Sequence, residues 1–137
     1  MNDYMAPTLD AAAIRGISAA GLAHVGDAVI ELMVRTWLCE HGKATNSGLH
    51  RATVQYVNAA AQAAAMDRLL PVLSEEEEQL YRRGRNAHTH AAPKGVTPGQ
   101  YARATGMETL FGGLYLAGKR ERVNELFALM MEDSHAL

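Results

Sequence analysis

The sequence has one cysteine, Cys39, among its 137 residues. A single thiol cannot close an intramolecular disulfide, and without a clustered His/Cys set it makes no zinc pattern. A reducing, cytoplasmic setting fits, and Cys39, on the long first helix, reads as a small buried hydrophobe rather than an activated nucleophile. No apolar run reaches membrane-spanning length, because His24, Asp27 and Glu31 interrupt the best candidate. The N-terminus carries Asp3 and Asp10 and no basic stretch followed by an apolar core, so it does not resemble a secretory signal. Strand-like alternation, internal repeats and low-complexity tails are also missing. Nor is there a charge excess: 13 Lys and Arg against 15 Asp and Glu give a net charge of -2, which taken globally gives no reason to suspect nucleic acid.

What is present is helical. A hydrophobic content of 48% supports one domain with a proper core, and the length is too short for two ordinary ones. Residues 1–17 read as a partly ordered lead-in, punctuated by Pro7 and Gly16, with one short turn around Asp10 to Ile14. Ser18 can cap a helix that runs to about His41 and stops at Gly42. Asn46 or Ser47 can cap a second helical region from near Leu49, alanine-rich from Ala52 to Ala65 and ended by Pro71; whether it breaks near Asn58 is left open. Ser74 and Glu77 form a capping box, which accounts for the acidic run Glu75 to Glu78 at a helix start, and Gly84 closes that helix. Arg85 to Gly99 reads as loop. A helix from Gln100 or Tyr101 to about Ala117, a turn at Gly118 and a last helix from Arg120 to Asp133 complete the chain, with Val123, Leu126, Phe127 and Met130 facing inward. The expectation is an all-α domain over residues 18–133, with 134–137 as a tail.

Two carboxylates sit awkwardly in this scheme. In the first long helix, Leu22, Val25, Val29, Leu32, Met33 and Thr36 make one strip and Ile30, Val34 and Leu38 a second, so Asp27 lies where full solvation is not expected. Taken alone, such an Asp reads more readily as a hydrogen-bonded structural or surface residue than as a catalytic one. Glu108 repeats the problem: Ala104, Thr105, Phe111 and Gly112, three and four residues away, include no cation. Gly106, Gly112 and Gly113 cost that helix stability, which suggests close approach by another helix or a ligand. If the two acids meet in space they can hold a hard divalent cation such as magnesium; the competing reading pairs each with an arginine brought in by the fold.

The charges are unevenly spread. Between Glu78 and Glu108 there is no acidic residue, while Arg82, Arg83, Arg85, Lys94 and Arg103 give five positive charges. A basic Gly/Pro loop leading into the Glu108 helix suits a polyanion whose phosphates lie close to that acid. His88 and His90, with no third ligand nearby, read as extra phosphate contacts or plain loop residues rather than a transition-metal site.

Val25-Gly-Asp-Ala-Val29 with its apolar flanks resembles the signature helix of the ribonuclease III family, and Met107-Glu-Thr-Leu-Phe-Gly-Gly-Leu-Tyr-Leu116 its second acidic helix. Tyr56-Val-Asn-Ala-Ala-Ala-Gln-Ala63 and Arg82-Arg-Gly-Arg-Asn-Ala87 resemble the small Mini-III subfamily, which has the nuclease domain without an appended double-stranded-RNA-binding domain. The resemblance spans roughly residues 18 to 132. It implies an all-helical, homodimeric, cytoplasmic endoribonuclease that cleaves double-stranded RNA with Mg2+, or Mn2+ in its place, and matures precursor 23S ribosomal RNA, with a ribosomal protein on the substrate as a further partner. Asp27 and Glu108 would be the catalytic and metal-binding acids; water activated by the metal would attack phosphorus and leave a 5′-phosphate and a 3′-hydroxyl. Arg82, Arg83, Arg85, Asn86, Lys94 and Arg103 would contact RNA. The chain departs from larger relatives at Ala23 and Thr105, where they carry further acids, and from Mini-III relatives at Ala60 and His88, where a lysine is expected. The alternative is a non-catalytic RNA-binding or ribosome-assembly protein that keeps the fold with a depleted acid set.

Overall fold

A computed structural model of the chain describes residues 2–42, 48–87 and 91–131. Seven α-helices are present among them: α1 (Ala11–Arg15), α2 (Ala19–Glu40), α3 (Leu49–Val57), α4 (Ala59–Leu69), α5 (Glu75–Arg85), α6 (Pro98–Leu116) and α7 (Arg120–Met130), with a 3-10 turn at Leu70–Val72 before α5. The described residues include no strand, and none of their helices is long and apolar enough to cross a membrane.

Helix starts follow side-chain chemistry. Ser18 accepts from the Gly21 amide at 3.0 Å, and Ser74 and Glu77 form the expected reciprocal cap. Asn58 resolves the open question at the middle of the chain. Its side-chain oxygen accepts from the Ala61 amide at 2.8 Å to begin α4, while its amide nitrogen donates to Val54 O at 2.9 Å to finish α3. The proposed caps Asn46 and Ser47 lie outside the described residues. Helix α6 starts earlier than expected, at Pro98, because Thr97 and Gln100 form a second capping box and Pro is favourable in the first turn. Gly84 does not close α5, which continues to Arg85. It is instead buried where a Cβ would lie 2.1 Å from Thr109 Oγ1, so its smallness serves packing.

Helices α2 and α6 form the centre, with α5 and α4 packed on α6 and α7 against α4 and α6. The core collects Ile30, Val34 and Leu38 from α2, Met66 and Leu69 from α4, Tyr81 from α5, Met107, Leu110 and Phe111 from α6, and Leu126 and Met130 from α7. Burying each such side chain contributes about 1.5–3 kcal/mol. The two apolar strips of α2 thus separate: the second is fully buried, whereas on the first Leu32 stays 56% exposed. Cys39, expected to be buried, is exposed, because the buried face at this end of α2 is the one carrying Trp37 and Leu38. Trp37 stacks on His41 at a ring separation of 4.0 Å and tilts against Tyr56, fastening the end of α2 to α3. Arg122 spans three elements: it donates to both Glu77 oxygens, at 2.7 and 2.9 Å, and to Val72 O at 2.6 Å. Residues 2–9 lie along the outside, where the Leu9 amide donates to Leu116 O at 2.8 Å.

The tightest contact is between α2 and α6. A Cβ on Gly26 would sit 1.6 Å from Glu108 O, and one on Gly112 would sit 1.9 Å from Leu22 O. Gly106 and Gly113 make similar room for Tyr81 and Leu80 of α5. The expectation that the α6 glycines permit close helix approach is met. Gly26→Ala gains up to about 1 kcal/mol of helix propensity, but a carbonyl of the facing backbone cannot yield as a side chain can. The net change expected is a loss of about 3 kcal/mol or more, read as a lower urea midpoint in circular dichroism.

Candidate active site

Gly26 packs on the peptide carrying Glu108, and Asp27 follows Gly26, so the glycine contact brings the two carboxylates side by side. The two carboxyl groups are within hydrogen-bonding reach of one another. Their surroundings differ. Asp27 is exposed, contrary to the expectation that it would be poorly solvated, because the buried face of α2 is the one carrying Gly26, Ile30 and Val34. Glu108 is the acid removed from water. Burial raises its pKa, and the charge of Asp27 and the hydrogen bond between the two groups raise it further, to about 8. Neither acid forms an ion pair among the described residues, so the arginine pairing considered from sequence does not occur there.

The positions where a larger acid set would be completed are closed in different ways. Ala23 is buried beneath the site, and the Thr105 hydroxyl donates to Tyr101 O at 2.9 Å, turned back onto its own helix. No group of three or more His, Cys, Asp and Glu side chains among the described residues is arranged to hold a metal ion. Two carboxylates, one of them reluctant to ionise, are nonetheless a fitting donor set for a hard divalent cation that keeps waters and takes further oxygens from a phosphate. The cation would offset the burial and the like charge of Asp27 that raise the Glu108 pKa.

The basic residues are more dispersed. Arg82 pairs with Glu78 one turn earlier at 2.5 Å, and Arg103 pairs with Asp67 of α4. Arg83 is half-buried and donates to Ile17 O at 2.6 Å. Arg85 is exposed, with its guanidinium 5.7 Å from the Tyr81 ring centre and its Nε donating to Asn86 Oδ1 at 3.2 Å. Lys94 is exposed on the loop before α6, and His88 and His90 lie outside the described residues. Arg82, Arg83 and Asn86 line one groove with α1 and the α6–α7 turn, and neither acid lines it. The structure therefore brings Asp27 and Glu108 together, and Arg82, Arg83 and Asn86 together, in two distinct places. Sequence reasoning missed Gly26, whose signal was a glycine immediately before the acid in a helix that otherwise avoids glycine at its centre.

The ribonuclease III domain family matches residues 20–119. A Mini-ribonuclease 3 of Symbiobacterium thermophilum is 50% identical over 105 residues, covering 77% of this chain and 81% of that protein. A second, from a Thermoanaerobacter species, is 42% identical over 119 residues, 87% of this chain and 84% of its own. A crystal structure of a protein from Fusobacterium nucleatum superposes with a TM-score of 0.79 at 28% identity, covering 88% of this chain and 97% of that one. The chain belongs to the ribonuclease III family. Within it, similarity over most of its length groups it with the Mini-III members.

The raised Glu108 pKa carries a stability consequence. Below the ordinary value of 4.5 folded and unfolded chains both hold the proton. Between 4.5 and about 8 only the folded chain holds it, so metal-free stability falls as pH rises through that window. Glu108→Gln removes the loss. The variant should gain about 2 kcal/mol on wild type between about pH 5 and about pH 9, a value discounted because one side of the carboxyl meets solvent. Urea midpoints measured in a chelator check this, and parallel curves for the two proteins would refute it.

Proposed function

We propose that the chain cleaves double-stranded RNA at the Asp27–Glu108 pair with a divalent cation, Mg2+ or Mn2+ in its place, and that its substrate is precursor 23S ribosomal RNA. As a Mini-III member of its family the chain is an endoribonuclease, a hydrolase. The observation that carries the site assignment is the contact between two carboxylates from different helices with no cationic side chain beside them among the described residues.

Hydrolysis joins a water oxygen to phosphorus and breaks the bond to the 3′-oxygen, leaving a 5′-phosphate and a 3′-hydroxyl. When bound, the cation supplies charge stabilisation at phosphorus and lowers the pKa of a water. The protein's share is placement and proton control. Exposed Asp27 offers its oxygens on the solvent side, and half-buried Glu108, whose raised pKa favours the protonated form near neutral pH, would release that proton on holding the cation. Arg85, Asn86 and Lys94 are exposed toward solvent and are assigned to phosphates, as are Arg82, Arg83 and Arg103, whose present partners are carboxylates or a carbonyl. Contacts of this kind read the A-form backbone rather than base edges.

A homodimer is part of the same reading. Tyr4, Met5 and Leu32 are 81%, 71% and 56% exposed. Met5 and Leu32 line an apolar cavity of about 300 Å3 with Val29, Met33 and Val123. A second copy is assigned to this face, which would give one centre for each RNA strand. A cytoplasmic setting, and a ribosomal protein on the substrate as a further partner, complete the proposal.

Asp27→Asn and Glu108→Gln should each lower cleavage of long duplex RNA in magnesium by about 10³-fold or more, with unchanged helical circular dichroism and RNA binding. Retained cleavage in either variant would sink the assignment. Calorimetric titration with magnesium near neutral pH, in buffers of different ionisation heat, should report about one proton released by wild type and none by Glu108→Gln.

A further inference from the structure

Helix α2 contains a single Lys or Arg, Arg35, which stands about two turns beyond Asp27. Asp27, Glu31 and Arg35 follow one another at intervals of four residues, so they form one row of neighbours on the helix surface. Asp27 and Arg35 are exposed and Glu31 is half-buried. The Arg35 side chain folds back toward the start of the helix, the direction that long helical side chains favour, and its Nη2 donates to Glu31 Oε1 at 3.0 Å. The guanidinium therefore stops at the level of Glu31, one turn short of Asp27 and about 6 Å from it along the helix axis. Its side chain is 61% exposed, and Glu31 is its one ion-pair partner among the described residues. That contact uses one N–H and leaves the rest of the guanidinium fork to solvent. An exposed pair of this kind contributes little to folding. Its consequence is one of placement: a cation is held beside the approach to the acid pair without neutralising either acid.

We propose that Arg35 is a positioning residue for RNA cleavage, its guanidinium holding a backbone phosphate of the cleaved strand close to the one that lies on Asp27 and Glu108. The inference rests on the nuclease reading and adds a residue to it. Arg82, Arg83 and Asn86 line a groove that neither acid enters, and Arg103 is turned to Asp67 of α4, so a strand seated on them still has to be drawn across the acid pair. Arg35 shares a rigid helix with Asp27, which fixes the offset between cation and acid. Even at B-form spacing a strand carries a phosphate about every 3.4 Å of axis, so a strand whose scissile phosphate meets Asp27 brings another within reach of a cation about 6 Å away. A planar guanidinium can take two phosphate oxygens at once, and Glu31 need give up no more than one N–H for it to do so. Asp27 and Glu31 both repel the strand where it must come closest, and a charge-assisted contact from Arg35 offsets that repulsion locally.

The test measures binding of fluorescein-labelled duplex RNA to the full chain by anisotropy, in a chelator so that cleavage does not interfere, across a salt series. Arg35→Gln should weaken binding about tenfold and flatten the slope of log K against log salt by about one for each protomer engaged. Arg35→Lys should restore the slope but only part of the affinity, because an ammonium is a point charge without the fork. Lys119→Gln, the same loss of charge on the exposed α6–α7 turn, should stay within about twofold of wild type. In magnesium, Arg35→Gln should lower kcat/KM for duplex RNA about tenfold or more, while its urea midpoint and helical circular dichroism match wild type. An unchanged salt slope in Arg35→Gln overturns the proposal, as does equal weakening by Lys119→Gln, which would reduce the effect to net charge. Loss of the dimer in sedimentation of Arg35→Gln would give this residue to a second copy and overturns it too. In those three cases wild type still cleaves and the nuclease reading stands, whereas a wild type that neither binds nor cleaves duplex RNA overturns both.

Discussion

Two stretches of helix backbone in direct contact hold this molecule's centre. Gly26 rests on the carbonyl of Glu108 and Gly112 on that of Leu22, with no side chain between α2 and α6 at either point. A helix pair normally keeps its axes 8–10 Å apart because side chains fill the gap. Here the spacing is set by peptide groups, which leaves little freedom to slide or rotate. The other layers inherit that geometry: Gly106 and Gly113 seat α5, α4 lies across α6, and α7 is tied to α5 by Arg122. The separation of Asp27 from Glu108 is thus a property of the backbone before it is one of rotamers.

The electrostatics follow from that placement. A carboxylate carried on a half-buried position faces another carboxylate, and the nearby positions 23 and 105 hold an alanine and a threonine turned to its own helix. Burial and like charge act in the same direction on Glu108. At Glu77 they oppose: burial works against the charged form, yet hydrogen bonds and charge from Arg122 and capping by Ser74 leave its pKa below the ordinary value. One acid is satisfied by the fold and the other is left unsatisfied. That contrast separates the structural Glu77 from Glu108, to which the proposed chemistry is assigned.

Much of this was legible in the sequence where the cause is local. Ser18, Ser74 and the turn glycines mark their elements because capping needs only a few neighbouring residues. The Thr97–Gln100 box was hidden by Pro98 and Gly99, which read as loop although proline suits a first helical turn. Gly84 was mistaken for a terminator because its reason is Thr109 on another helix. The same limit governs the site. Both acids were identifiable as uncompensated, but which one leaves water depends on how α2 is rotated, and that is decided by its partner helix. The Arg82 to Arg103 segment looked uniformly free in one dimension, whereas Asp67 reaches Arg103 from 36 residues away.

Asn58 shows how finely such a corner can be specified. Its oxygen faces a backbone N–H of α4 and its nitrogen faces the Val54 and Gln55 carbonyls of α3, at 2.9 and 3.3 Å. Serine or aspartate would satisfy the first requirement equally well, but a carboxylate would turn an anion toward two carbonyl oxygens. The corner therefore distinguishes an amide from its acid, although the two differ only in NH2 against O. Slow chemical ageing of that one side chain would convert a clasp joining two helices into a wedge between them.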